Sequence, residues 1–152
     1  MPAPTVSYMI CTGALIVLIF TVQVFYLYVV DNIWAEMARR ELKEITDYVS
    51  DTIANLYFLA NSTNADVSLE KTLSLPLSIS GSSYSVAIYN ESGIAKSVQA
   101  SFKGKTWVKA SSWLPPGLKV NSGKDQTIES SGRSVVAGCN RVSRNVYVLS
   151  LI

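Results

Sequence analysis

Side-chain catalysis needs a proton carrier, a nucleophile beside one, or ligands spaced for a metal, and this chain is poor in all three. Its 152 residues include no histidine, which removes His bases, His ligands and Ser-His or Cys-His nucleophilic pairs at once. The two cysteines, Cys11 and Cys139, stand near opposite ends of the chain and are not spaced as ligands. Each reads as a free thiol acting as a small apolar group. The acids beyond residue 60 are Asp66, Glu70, Glu91, Asp125 and Glu129, with neither a calcium-loop nor a paired-carboxylate spacing. Gly123-Lys124 lacks the preceding glycine of a phosphate loop and reads as a hairpin turn. The expectation is a non-enzymatic protein with no catalytic residues, no cofactor, no metal and no small-molecule substrate. What remains is modification chemistry. Asn61-Ser62-Thr63 and Asn90-Glu91-Ser92 are N-glycosylation sequons, both in expected loops.

The elements that would carry those asparagines begin with an apolar run. From Val6 to Val30 no residue is charged, and at 1.5 Å rise per residue a helix of this length reaches ~38 Å, enough to cross a hydrocarbon core of about 30 Å. Tyr8 at one end and Phe25, Tyr26, Tyr28 and Trp34 at the other fall where interfacial aromatics sit. Gly13 and Ala14 make a small spot for close helix approach, and Gln23 is an amide that prefers a partner to lipid. Both features fit an anchor that packs against other helices, and Val6, Ile10, Gly13, Ala14, Val17, Phe20, Gln23 and Leu27 are the residues of this helix to which the resemblance named below gives an assembly role. Residues 1–5 contain no Lys or Arg, so the segment reads as a retained anchor or an already processed N-terminus rather than a cleavable signal.

No Gly or Pro interrupts residues 31–60, so the helix is expected to continue to residue 60. Ala35, Ala38, Leu42, Ile45, Val49, Thr52, Leu56 and Leu59 recur at spacings of three and four, a heptad seam centred on Leu42, Ile45, Val49 and Leu56. Such a seam either pairs with copies of itself or docks on the chain's own domain. Residues 61–66 form a polar linker, after which the period changes to two. Strands are expected over 67–79, 84–89, 94–102, 106–109, 118–120, 126–129, 135–139 and 146–152, with Trp113 to Gly117 as a rigid crossing loop. The fold class is therefore α+β: one long N-terminal helix, then a small antiparallel β-sandwich over 67–152.

Charge is divided. Residues 31–60 hold six acids and three bases, and residues 61–152 five acids and ten bases. The domain's bases are scattered among Ser and Thr without an RNA-binding motif, so no nucleic-acid partner is expected. Two signals oppose each other on topology: the sequons favour an extracytoplasmic domain, while Arg39, Arg40 and Lys43 beyond the apolar run favour a cytoplasmic one.

An apolar helix continuing into an amphipathic half, then a sheet domain opening with Leu73 to Ile79, Gly81 and Tyr84 to Ile88, resembles the archaeal type IV pilin-like proteins. That family includes pilins, archaellins and membrane-anchored archaellum accessory proteins. The resemblance implies that Val6 to Val30 is the assembly helix, in a membrane or at a filament core, and that the domain lies outside the cell. No basic leader precedes the run and no glutamate stands near its start, which keeps a retained accessory subunit beside a polymerised pilin. The function expected is a cell-surface subunit that assembles with copies or related subunits through its helix. The alternatives are a single-pass extracytoplasmic binding or sensing protein, with Trp107, Trp113 and Tyr84 as contacts, and a small structural subunit of a membrane complex.

Overall fold

The computed structural model describes residues 3–63, 65–120, 127–130, 135–142 and 145–149. The expected turn at Gly123-Lys124, the start of the strand at 126 and the end of the last strand at 150–152 lie outside them. The chain divides into two compact units, Met1–Met37 and Ala38–Ile152. One helix, α1 (Ala3–Ser62), supplies the first unit and opens the second, and it passes through Asp31 without a break.

In the first unit, three short polar side chains are satisfied locally. Thr12, Thr21 and Asn32 donate to the carbonyls four residues back, Tyr8, Val17 and Asn32's own partner Tyr28, at 2.8–3.0 Å. This back-bonding is how short polar side chains are carried in an apolar helix.

The second unit is a helix laid on a sheet. After α1 come β1 (Val67–Leu73), β2 (Tyr84–Glu91), β3 (Ile94–Phe102), β4 (Lys109–Trp113), β5 (Lys119–Val120), β6 (Thr127–Glu129), β7 (Val135–Val142) and β8 (Asn145–Leu149). They form one eight-stranded sheet in the order β1-β7-β8-β5-β3-β2-β6, with β4 alongside β3. All pairings are antiparallel except β5 with β8.

The two facing sheets of the expected sandwich are not what the strands make. A sheet needs one face covered, and here the helix covers it. Buried pairs Tyr84–Phe102, Val86–Ala100 and Ile88–Val98 line one face, with Val135, Ala137, Cys139, Val146 and Val148 continuing it. Ala38, Leu42, Ile45, Val49, Ile53, Leu56 and Ala60 of α1 are equally buried, and Cys139 Sγ lies 4.0 Å from the Ile53 carbonyl. The alternate positions Ser85, Gln99 and Ser101 are half-exposed, with the Ser85 and Ser101 hydroxyls 3.5 Å apart. A polar, Ser-rich outer face can stay in water, which is ordinary for an antiparallel sheet.

Two strand expectations shift. The alternation over 67–79 yields a strand only to Leu73, followed by a tight Ile79–Ser82 bridge. The expected strand at 106–109 is instead a turn closed by Val108 N–H to the Lys105 carbonyl, 2.9 Å, and β4 takes in Trp113. The β2–β3 hairpin turns through Ser92 (φ 54°) and Gly93 (φ 79°), the paired left-handed conformation of a two-residue hairpin.

The helix end is fastened by the sheet. Arg141 on β7 donates to the carbonyls of Ala60 (3.0 Å), Asn61 (2.9 Å) and Thr63. These are the last-turn acceptors a helix cannot satisfy by itself.

Candidate functional site

In the first unit every side chain from Val6 to Tyr28 is exposed. The apolar members of the expected assembly face are among them, at Val6 (56%), Ile10 (68%), Val17 (65%), Phe20 (64%) and Leu27 (64%). A Cβ built on Gly13 meets nothing within 4 Å, so the smallest point of the helix is open to a neighbour. Cys11 is exposed and free. The helix is long and apolar enough to cross a membrane once.

Gln23 differs from the other polar groups of this segment. Thr12, Thr21 and Asn32 bond to their own helix, whereas among the described residues the Gln23 amide has no hydrogen-bond partner. In hydrocarbon such a group carries a desolvation penalty until another chain satisfies it.

The heptad seam has a different fate. Leu42, Ile45, Val49 and Leu56 are buried in the second unit's core, so they face the chain's own sheet. Only Leu59, at 58%, is left exposed. The register is held by polar contacts along β4 and the loop after it. Lys43 Nζ donates to Ser111 O (2.9 Å), Ser50 Oγ to Trp113 O (2.5 Å) and Tyr57 Oη to Pro116 O (3.3 Å). Helix and strand thus advance together, and residues near 107 adjoin residues near 39. Arg39 Cζ accordingly sits 6.0 Å from the Trp107 ring centroid.

Of the three aromatics expected as ligand contacts, Tyr84 is buried, with its hydroxyl donating to Pro76 O at 2.6 Å. Trp107 (57%) and Trp113 (81%) are exposed. The sequon asparagines are both exposed, though Asn61 lies in the last turn of α1 and Asn90 at the end of β2 rather than in loops.

Among the described residues, the shifted pKa values of titratable groups are set by burial or by a neighbouring charge. Burial pushes the Cys139 thiol up to about 12 and raises Tyr84, so neither ionises at neutral pH. The hydrogen bond from Lys43 at 2.6 Å holds Asp47 below its usual value, and Glu91 and Lys96 pair on the surface at 2.8 Å. Among the described residues no group of three or more acids and cysteines could hold a metal. The fastening role of Arg141, Lys43 and Ser50 carries no sequence signal, because each bonds a carbonyl more than sixty positions away and no local spacing announces such a partner. No family model, curated protein or solved structure matches the chain.

Proposed function

We propose that this chain is a non-enzymatic cell-surface subunit of the type IV pilin-like kind. Val6 to Val30 anchors it in a membrane or joins a filament core, and the sheet domain stands outside the cell. Its partners are copies of itself or related subunits, met along the face of Val6, Ile10, Gly13, Ala14, Val17, Phe20, Gln23 and Leu27. Asn61 and Asn90 are exposed sequons that an extracytoplasmic domain would present to glycosylation.

One observation carries the reading: a stretch of more than twenty exposed side chains, nearly all apolar, contains a single amide with no partner of its own. Water would not tolerate the first feature and lipid alone would not satisfy the second. Helix association resolves both, through close packing at Gly13 and a hydrogen bond from Gln23. The seam beyond residue 38 is occupied by the sheet, so association belongs to the apolar segment.

The test is Gln23→Leu in the full chain, with oligomer size in mild detergent as the readout. An intramembrane hydrogen bond is worth roughly 0.6 kcal/mol and up to ~1.7, so association should weaken about three- to twentyfold while membrane insertion is kept. Unchanged oligomer size rejects the helix-contact mechanism. The binding-protein alternative draws on one observation, Trp113 at 81% exposure on β4. A detergent-soluble monomer that loses capture of a partner on Trp113→Ala would favour it.

A further inference from the structure

We infer that the outer face of the sheet carries a saccharide site: Tyr89 and Trp113 hold an uncharged sugar ring between them, over the hydroxyl of Ser97. The site lies wholly within the second unit, so it goes beyond the assembly role proposed above and does not depend on it.

The strand register sets these three residues in one row. Tyr89 on β2 is opposite Ser97 on β3, and Ser97 is opposite Trp113 on β4. Alternation puts all three on the face away from the buried pair Ile88 and Val98. Across two antiparallel pairs the flanking α-carbons stand ~10 Å apart. Among the described residues neither aromatic makes a ring contact, so the small serine leaves a slot about one ring wide between them. Trp113 is 81% exposed, more than any other large apolar side chain among the described residues, and Tyr89 is 53% exposed. The fold, whose core lies on the opposite face of the sheet, uses neither surface.

The floor of the slot holds an unsatisfied group. Ser97 is only 9% exposed, and among the described residues its hydroxyl has no hydrogen-bond partner. A buried hydroxyl left so is costly, and a ligand hydroxyl reaching down between the rings would satisfy it. One pleat repeat away, ~7 Å along the strands, the next row is Ala87, Gln99 and Ser111. It offers a small residue, then an amide and a hydroxyl that also lack side-chain partners among the described residues. Charge selects the class of ligand. Lys96, beside Tyr89, pairs with Glu91 at 2.8 Å, Glu129 with Lys103 at 2.8 Å, and Lys43 with Asp47 at 2.6 Å near the edge of β4. Single charges of both signs stand only at the margins: Lys109, four residues from Trp113; Lys119, opposite Ile94; and Asp51, next to the Ser50 that bonds Trp113 O. An anion meets no cation in the row, and the basic groove that single-stranded nucleic acid requires is not built here. A pyranose, with apolar C–H faces and a rim of hydroxyls, matches aromatic walls above hydroxyl and amide groups.

The full chain, made in a host without N-glycosylation and held in a sugar-free zwitterionic detergent, is titrated with dextran, mannan, xylan and galactan. Trp34→Phe with Trp107→Phe leaves Trp113 as the fluorophore; Trp34→Phe with Trp113→Phe leaves Trp107 as the control. At least one of these polysaccharides should reduce iodide quenching of Trp113 about threefold and leave that of Trp107 unchanged. In the Trp113 form, Tyr89→Ala should weaken that polysaccharide's affinity at least about tenfold, Tyr89→Phe should keep most of it, and Ser97→Ala should weaken it about fivefold. Ser97→Ala removes one oxygen from the outer face, so its melting temperature should match that of the parent and its loss reads the site rather than the fold. Failure of all the polysaccharides to protect Trp113, or affinity untouched by both Tyr89→Ala and Ser97→Ala, overturns the site. Salt-sensitive protection by a single-stranded oligonucleotide in place of the polysaccharides assigns the row to nucleic acid and overturns it too. Protection without saccharide that grows with protein concentration assigns it to a second copy, with the same result. None of these outcomes bears on helix association, which is read separately from oligomer size in the Gln23→Leu chain.

Discussion

Arg141 and Cys139 sit two positions apart on β7 and act on the same helix in opposite chemical ways. Arg141 brings one guanidinium nitrogen, Nη1, to three terminal carbonyls of α1, and a lysine ammonium, more strongly hydrated than a guanidinium, is a poorer substitute there. Arg141→Ala should therefore destabilise the domain by about 1.5 kcal/mol, and Arg141→Lys should restore only part, as read by urea denaturation followed through far-UV circular dichroism. Cys139 contributes by being apolar. Its thiol is pushed up to about 12 from an ordinary 9.0, and Tyr84 is raised as well, so the folded chain holds these protons where the unfolded chain releases them. Stability from Cys139 is complete below about pH 9 and is lost as pH rises towards 12, with a limiting slope of ~1.4 kcal/mol per pH unit, and Tyr84 adds to the loss in the same direction at higher pH than the thiol's onset. Cys139→Ala should flatten the first part of that decline. With no histidine in the chain, denaturation midpoints between pH 6 and 8 should be level, and a transition there would contradict the assignment.

At the scale of elements, the last strand is the joint of the sheet. β8 pairs with β7 on one side and β5 on the other, so it alone links β1 and β7 to the β5-β3-β2-β6 group along the main path. Deleting the chain from Asn145 onward should abolish cooperative unfolding of the domain. Ile53→Asp, which puts a charge beneath the same strands at a fully buried position, should do likewise. A truncated chain that still unfolds cooperatively would show that the two halves of the sheet do not depend on each other. The importance of the C-terminal segment is legible in its apolar composition, and the helix is legible in its period and its freedom from Gly and Pro. The layer arrangement is not. Alternating strands are compatible with a second sheet or a helix as cover, and the seam at Leu42, Ile45, Val49 and Leu56 matches a coiled coil as well as an intrachain face. The choice is made by contacts such as Ser50 to Trp113 O and Lys43 to Ser111 O, which join residues more than sixty positions apart.

At the scale of the whole molecule, the anchor proposed above leaves the domain on one side of a membrane or the other, and the sequence offers arguments for each. Arg39, Arg40 and Lys43 follow the apolar run, and a rule that counts bases near a span would hold them in the cytoplasm. The fold gives two of these bases employment within the domain: Lys43 bonds Asp47 and Ser111 O, and Arg39 stacks on Trp107. That explains their presence without reference to orientation, and the exposed sequons then weigh towards the outside. The native cysteines make the question easy to test. Cys11 lies within the apolar run and Cys139 is buried with a thiol that stays protonated at neutral pH, so neither should react with a membrane-impermeant maleimide. Lys71 is exposed on the edge strand β1, so Lys71→Cys should supply one accessible thiol without disturbing the core. An outside domain predicts labelling of intact cells to at least about nine-tenths of the level reached after lysis, with the unsubstituted chain unlabelled in both. Labelling that appears only after lysis would put the domain in the cytoplasm, give Arg39, Arg40 and Lys43 the decision, and exclude a surface filament.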